Sequence, residues 1–157
     1  MYNSTVVRVY LDVSCMNRPG DDQQQARIRL ETEAISIIME RFEEGRWLHL
    51  ASDMAVIEIN ANRDAKRRRR ALSLLPDPSE VAPLDETIWS RAIECEDMGF
   101  KPADAVHVAA AEAMQADVLL TCDDRMIKAG ERNRLRLRVS LANPLSWLEE
   151  HNDSNAG

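Results

Sequence analysis

Four acidic residues, Asp12, Glu58, Asp104 and Asp123, stand where one carboxylate site could gather them. Asp12 directly follows the apolar run Val6–Leu11, and Asp123 lies just past the run Val118–Thr121. Asp104 opens an alanine-rich stretch, and Glu58 sits inside the apolar segment Val56–Ile59. Carboxylates brought together repel one another, and a cation relieves that repulsion. Several carboxylates with no lysine beside them prefer hard, oxygen-ligated ions, so the expected cofactor is Mg²⁺ or Mn²⁺. Such ions hold phosphate oxygens and acidify bound water, which suits hydrolysis of a phosphodiester. Ser14, two residues after Asp12, adds a hydroxyl for water or phosphate.

The elements that must position these acids follow from the hydrophobic pattern. Val6–Leu11, β-branched and almost continuously apolar, reads as a buried parallel strand. After the turn cluster at 17–22, the apolar residues Ile28, Ile35, Ile38, Met39 and Phe42 predict one amphipathic helix over 23–44, stopped by Gly45. Trp47–Ala51 is a second strand, and Ser52 or Asp53 caps the helix that carries Glu58. Asp64 caps a helix through Leu75, ended by Pro76 and Pro78, and Val81–Pro83 is a very short strand. Asp85 caps a helix to Met98, and Pro102 suits the first turn of the helix Ala103–Gln115. Val118–Thr121 is a strand, Asp123 and Asp124 open a short helix ended by Gly130, and Leu135–Leu141 reads as an edge strand. A last helix starts at Asn143-Pro144 and runs through Glu150, and the polar tail 151–157 is expected to be disordered.

Strands alternate with helices throughout, so the expected fold class is α/β, with helices on both faces of a mostly parallel sheet. Ligands in such sheets bind at the carboxyl ends of strands, which puts Asp12 and Asp123 at one edge. Asp104 enters from the same edge at a helix start, where the helix dipole favours its ionised form. Glu58 is not placed by spacing. Acids at helix starts are also ordinary caps, a role that fits Asp85 and Asp123 equally.

The chain has 157 residues, a single-domain length, with 45% hydrophobic and 30% charged residues. Its net charge of -7 argues against nucleic-acid binding by bulk electrostatics, so any such contact needs a local basic patch or a metal ion. Three scattered cysteines, Cys15, Cys95 and Cys122, form neither a disulfide framework nor a zinc pattern. No stretch is long enough to span a membrane, and a reduced, cytoplasmic protein is expected.

Other residues carry both a functional and a plain reading. The basic run Lys66–Arg70 spreads around its helix, so it requires an exposed or partly unwound segment; it can solvate or touch phosphates. Arg18, in the loop after Asp12, suits a phosphate clamp or a turn. His107, one turn after Asp104, suits a substrate contact or a packed, hydrogen-bonded histidine. Trp47, Trp89 and Trp147 suit core or a subunit interface.

The segments Val9–Ser14, Asp104–Ala111 and Leu119–Asp123, with Glu58 between them, resemble the PIN-domain ribonucleases in order and spacing as far as Pro144. Most specific are the Asp-Ala-x-His-x-Ala-x-Ala helix start and the Leu-Leu-Thr-x-Asp strand end. The resemblance implies a three-layer αβα PIN-like fold over residues 1–150 and metal-dependent cleavage of single-stranded or structured RNA. It implies a VapC-like toxin of a type II toxin–antitoxin system, with an antitoxin protein as partner and a homodimer as the assembly. Carried onto this chain, the catalytic quartet is Asp12, Glu58, Asp104 and Asp123, with Asp12, Asp104 and Asp123 on the metal. Ser14, Arg18, His107 and Asp124 then stand near substrate or behind the ligands. Family members often carry a further acid or asparagine slightly beyond the strand-end acid; here Asp124 follows at once. The alternatives are an RNA-processing or inactive PIN-fold binding module, and a receiver-like phosphoacceptor domain. The receiver needs an acid pair near the first strand and a late lysine, where this chain has Val13, Arg136 and Arg138.

Overall fold

The structure is a computed structural model and describes residues 6–151. Its centre is a parallel sheet of five strands in the order β3-β2-β1-β4-β5. The strands are β1 (Val7–Leu11), β2 (Trp47–Ser52), β3 (Val81–Ala82), β4 (Val118–Leu120) and β5 (Ser140–Ala142). The helices are α1 (Val13–Asn17), α2 (Ala26–Glu43), α3 (Asp53–Asn60), α4 (Ala65–Leu72), α5 (Glu86–Asp97), α6 (Pro102–Ala113), α7 (Asp124–Arg132) and α8 (Pro144–His151). The tail expected to be disordered lies, from residue 152 on, outside the described residues.

The strand order reverses direction at β1, which has β2 on one side and β4 on the other. A crevice opens at such a reversal, at the carboxyl ends of the two central strands. Leu11 is in register with Leu120, and the Asp12 amide donates to the Leu120 carbonyl at 2.9 Å, so both strands end level.

Side-chain alternation along the strands divides the core. Tyr10, Leu50 and Leu119 pack with Ile88, Ala92 and Ala109 of α5 and α6 on one face. Val9, Leu11 and Leu120 pack with Ile35 and Ile38 of α2 and with Trp147 of α8 on the other. A third cluster, with Val13, Met16, Ala55, Ile59 and Ala71, seals α1, α3 and α4 together beside the crevice. Ala105, Ala109, Ala110 and Ala111 of α6 are buried and let that helix approach its neighbours closely, which lowers Asp104 and His107 into the molecule.

Local chemistry sets the helix starts. The side chains of Ser52, Asp64, Asp85 and Asp123 each accept an amide hydrogen bond from the first turn of α3, α4, α5 and α7. Gly45, at φ +76°, turns the chain out of α2 as expected.

Three expectations need correction. Gly130 does not end its helix: α7 continues to Arg132, and Gly130 lies inside it against Leu141, where a Cβ would come within 3.1 Å of the leucine side chain. The edge strand over Leu135–Leu141 shrinks to Ser140–Ala142. Its backbone groups go elsewhere: the Arg138 amide donates to Glu112, and the Arg136 carbonyl accepts from Arg91. Leu135 is 95% exposed and anchors nothing. Finally, the segment after Asp12 is not simply a loop, because α1 begins at Val13. The Lys66–Arg70 run forms regular helix, with Lys66, Arg69 and Arg70 exposed.

Candidate active site

Asp12 leaves β1 at the crevice and is only 6% exposed. Its Oδ2 accepts hydrogen bonds from the hydroxyls of Ser14 and Thr121, each at 2.8 Å. Those two donors fix the carboxylate and leave Oδ1 directed toward His107 Nε2, 3.7 Å away. Ser14 Oγ also accepts from the Cys122 amide at 3.0 Å, and Thr121 Oγ1 accepts from the Asp123 amide at 3.1 Å. These bonds tie the start of α1 to the end of β4. They make Ser14 a strut between the two strand ends as well as a partner of Asp12.

His107 is fully buried. Its Nε2 lies 2.5 Å from Glu58 Oε1, and its Nδ1 lies 2.7 Å from the Tyr10 hydroxyl, which in turn meets Ser52 Oγ at 2.8 Å. Burial alone pulls the imidazole pKa down, but the Glu58 hydrogen bond and the charges of Asp12, Glu58 and Asp104 outweigh it, so the net shift is upward. The acids around the ring thus favour its protonated form, against the pull of burial. Burial keeps the Tyr10 phenol neutral. Glu58 thus reaches the site through α3, capped by Ser52, and is held there by His107.

Asp104 and Asp123 line one groove with Lys101 and Arg125. Asp123 caps α7, accepting from the Arg125 amide at 2.9 Å. The helix start does not keep the Asp104 carboxyl in the usual low range, as the dipole suggests. Burial, then the charges of Asp12 and Asp123, push its carboxyl up to about 6. Desolvation and like charge outweigh the dipole here, and His107 offsets them only in part.

The donor set fits a divalent cation. Ligand atoms of Asp12, Glu58 and His107 all lie within 4.8 Å of one another, but His107 Nε2 is taken by Glu58 Oε1, so a cation would draw on the carboxylates of Asp12, Asp104 and Asp123; Asp104 feels Asp12, Asp123 and Glu58 electrostatically. Hard carboxylate oxygens dominate, as Mg²⁺ or Mn²⁺ requires. The tightest group therefore includes His107 and Glu58, while Asp104 and Asp123 stand on the groove side.

The remaining expected residues are engaged in the scaffold. Arg18 donates to Glu31 at 2.8 Å and to Asp21 at 3.0 Å, so it serves the turn. Asp124 points away to a two-point ion pair with Arg27, both bonds at 2.8 Å. Sequence reasoning misses Tyr10, Ser52 and Thr121. The polar Thr121 ending an apolar strand is the one visible signal; Tyr10 and Ser52 read as ordinary strand and cap residues.

The PIN domain model matches residues 9–132. No curated protein matches the chain. Solved structures with a similar fold include FitAcB from Neisseria gonorrhoeae, with TM-score 0.56, 18% identity, and coverage of 87% of this chain and 97% of that one. VapBC2 from Rickettsia felis, bound to a DNA fragment from its promoter, gives TM-score 0.55 and 12% identity, covering 87% of this chain and 98% of that one. With the parallel sheet, the acids at its reversal point and a family match over most of its length, this chain belongs to the PIN domain family.

Proposed function

We propose that the protein is an endoribonuclease that hydrolyses phosphodiester bonds of RNA with Mg²⁺ or Mn²⁺. The observation that carries this reading is the convergence of Asp12, Glu58, Asp104 and Asp123 at the sheet's reversal point, where burial and the charges of Asp12 and Asp123 push the Asp104 carboxyl up to about 6. Asp12, through Oδ1, Asp104 and Asp123 are the residues proposed to hold the ion. A bound divalent ion supplies Lewis acidity toward phosphate and an acidified water. Ser14 and Thr121 keep Asp12 in one orientation, so the ligand needs no reorganisation. Glu58 gives one oxygen to His107 and keeps Oε2 for a proton from the attacking water. His107 and Tyr10 fix Glu58 and exclude solvent behind it.

The partners belong to the same proposal. Likeness in fold to VapBC2 and FitAcB supports a VapC-like toxin with an antitoxin partner. A homodimer is proposed with Trp89 and Ile93, exposed one turn apart on α5, as its support; light scattering tests it. No helix among the described residues is long and apolar enough to cross a membrane; a cytoplasmic location belongs to the same proposal.

The deciding experiment incubates the purified protein with a panel of single-stranded and hairpin RNAs, with Mn²⁺ or with EDTA, beside the Asp12→Asn variant. Cleavage that requires Mn²⁺ and vanishes in the variant is expected. Cleavage that survives EDTA or the substitution overturns the reading.

A further inference from the structure

The acids open sideways into a groove of about 310 Å³ between the start of α6 and the length of α7. Asp104 and Asp123 form its inner end, and its walls carry Lys101, Arg125, Lys128 and Arg132. Arg125, Lys128 and Arg132 are spaced three and four residues apart on α7, so they share one face of that helix. At 1.5 Å per residue the row extends roughly 10 Å from the acids. Lys101, the residue preceding α6, stands on the opposite wall. The Arg132 guanidinium lies over Gly99, within 3.5 Å of where a Cβ would stand. All four cations are exposed, and among the described residues none forms a salt bridge.

The basic run on α4 is used differently. Arg67 donates to the Gly20 carbonyl at 2.6 Å and to Asp21 at 2.5 Å, Arg68 donates to the Asn62 carbonyl at 2.7 Å, and Arg70 ends against Gly20. Arg67 and Arg70 hold the segment that follows α1, and Arg68 holds the turn between α3 and α4.

We infer that the α6–α7 groove, and not the basic run of α4, is the phosphate-binding track that leads single-stranded RNA to the acids. This rests on the nuclease reading and adds a direction to it: the strand leaves the reacting phosphate along α7. A chain with a net charge of -7 repels a polyanion overall, so a row of cations beside the acids supplies the local attraction. A row of spaced cations along α7, faced by Lys101 across the groove, matches successive backbone phosphates, and the apolar Phe100 and Met126 between them leave room for bases. The row is less suited to an acidic peptide, which would bring carboxylates against Asp104 and Asp123 at a single end.

The test uses fluorescence anisotropy with a labelled single-stranded RNA, in Mg²⁺, on Asp12→Asn protein so that the RNA stays intact. In that background Lys128→Ala with Arg132→Ala is compared with Lys66→Ala and Arg69→Ala, across a salt series. Every phosphate deprived of its cation should lower the log–log salt slope by about 0.7. The groove pair should therefore lower it by roughly 1.4 and weaken binding of all RNA sequences alike. The α4 pair should leave the slope unchanged. Circular dichroism confirms folding, and Lys128→Glu, which adds repulsion without deleting bulk, should weaken binding further. An unchanged slope in the groove pair, or a larger loss in the α4 pair, overturns the inference. So does an acidic peptide of equal charge that binds as tightly and is lost in the same variants. If the groove variants bind normally while Mn²⁺-dependent cleavage by the unsubstituted protein stands, only the track fails. If the unsubstituted protein neither cuts nor binds any RNA, the nuclease reading itself fails.

Discussion

At the scale of single residues, Asp104 and His107 answer the same electrostatic problem in opposite ways. Asp104 is pushed up to about 6 by burial and by Asp12 and Asp123, so at neutral pH the metal-free fold holds an ionised group at a cost. Asp104→Asn should remove that cost. It is expected to stabilise the metal-free protein by about 1–2 kcal/mol at pH 7.5, after allowing for screening, and to abolish Mn²⁺-dependent cleavage. Thermal denaturation in EDTA checks the first outcome and the RNA assay the second; a destabilised variant would contradict the repulsion. Asp12→Asn differs, because its carboxylate already accepts two hydroxyl hydrogen bonds, and relief of charge is offset by their weakening. Burial lowers the His107 pKa, but the Glu58 hydrogen bond and the neighbouring acids raise it on balance. Glu58→Gln should therefore lower the His107 pKa, seen as a shifted imidazole titration by NMR. An unmoved titration would mean that Glu58 does not control the ring.

At the scale of elements, the segment after α1 is held by a buried carboxylate outside the candidate site. Glu31, almost fully buried on α2, accepts from Arg18, Arg27 and Asn143 and so joins that segment, α2 and the start of α8. Burial raises its pKa, but hydrogen bonds from Asn143, Arg27 and Arg18 prevail and hold it below the usual carboxylate range. Removing one partner of such a cluster leaves the others uncompensated, so Glu31→Ala should cost about 2–4 kcal/mol in chemical denaturation. A loss under about 1 kcal/mol would show that the network is solvated rather than cohesive. Arg27 also grips Asp124, so the same variant should increase exchange of the first amides of α7. This network is illegible in the sequence, because Glu31 sits in a polar-looking stretch of α2 and its partners include residues 13 and 112 positions away. What can be read is local. Ser52, Asp64, Asp85 and Asp123 are caps in the sequence and in the fold, since capping depends on the next three residues. Strand-end logic puts Asp12 and Asp123 at one edge, and the reversal of strand order at β1 gives that edge its crevice. Glu58 depends on tertiary packing, through a histidine 49 residues away, and no local pattern encodes that. The last strand misleads because alternating Leu and Arg mimics an edge, while the backbone there serves Glu112 and Arg91.

At the scale of the whole molecule, the titrating groups pull stability in two directions. Glu31 and Asp124 have depressed pKa values, Glu31 through its hydrogen bonds and Asp124 through Arg27. Their contribution is present above the unfolded carboxylate range near 4 and is lost as pH falls through their folded values. His107 is raised, so its contribution is present below its unfolded value, about 6.5, and is lost as pH rises through its folded one. Asp104 is raised too; its neutral form is favoured in the fold, and stability is lost as pH climbs from roughly 4 through about 6. The metal-free protein should therefore be most stable near roughly pH 5, below neutrality. A divalent cation bound as proposed should reverse the upper limb, because it would bind the ionised acids that otherwise repel. At a hundredfold excess over its dissociation constant it adds about 2.7 kcal/mol. The increment should be largest above pH 7 and should fade below pH 6 as Asp104 takes up its proton. Melting temperatures measured from pH 4.5 to 8.5, with EDTA and with Mn²⁺, should give two curves that meet at low pH and diverge at high pH. Parallel curves would place the cation away from these acids. In the Asp104→Asn variant the EDTA curve should lose much of its decline above pH 6, leaving the His107 contribution to account for the rest.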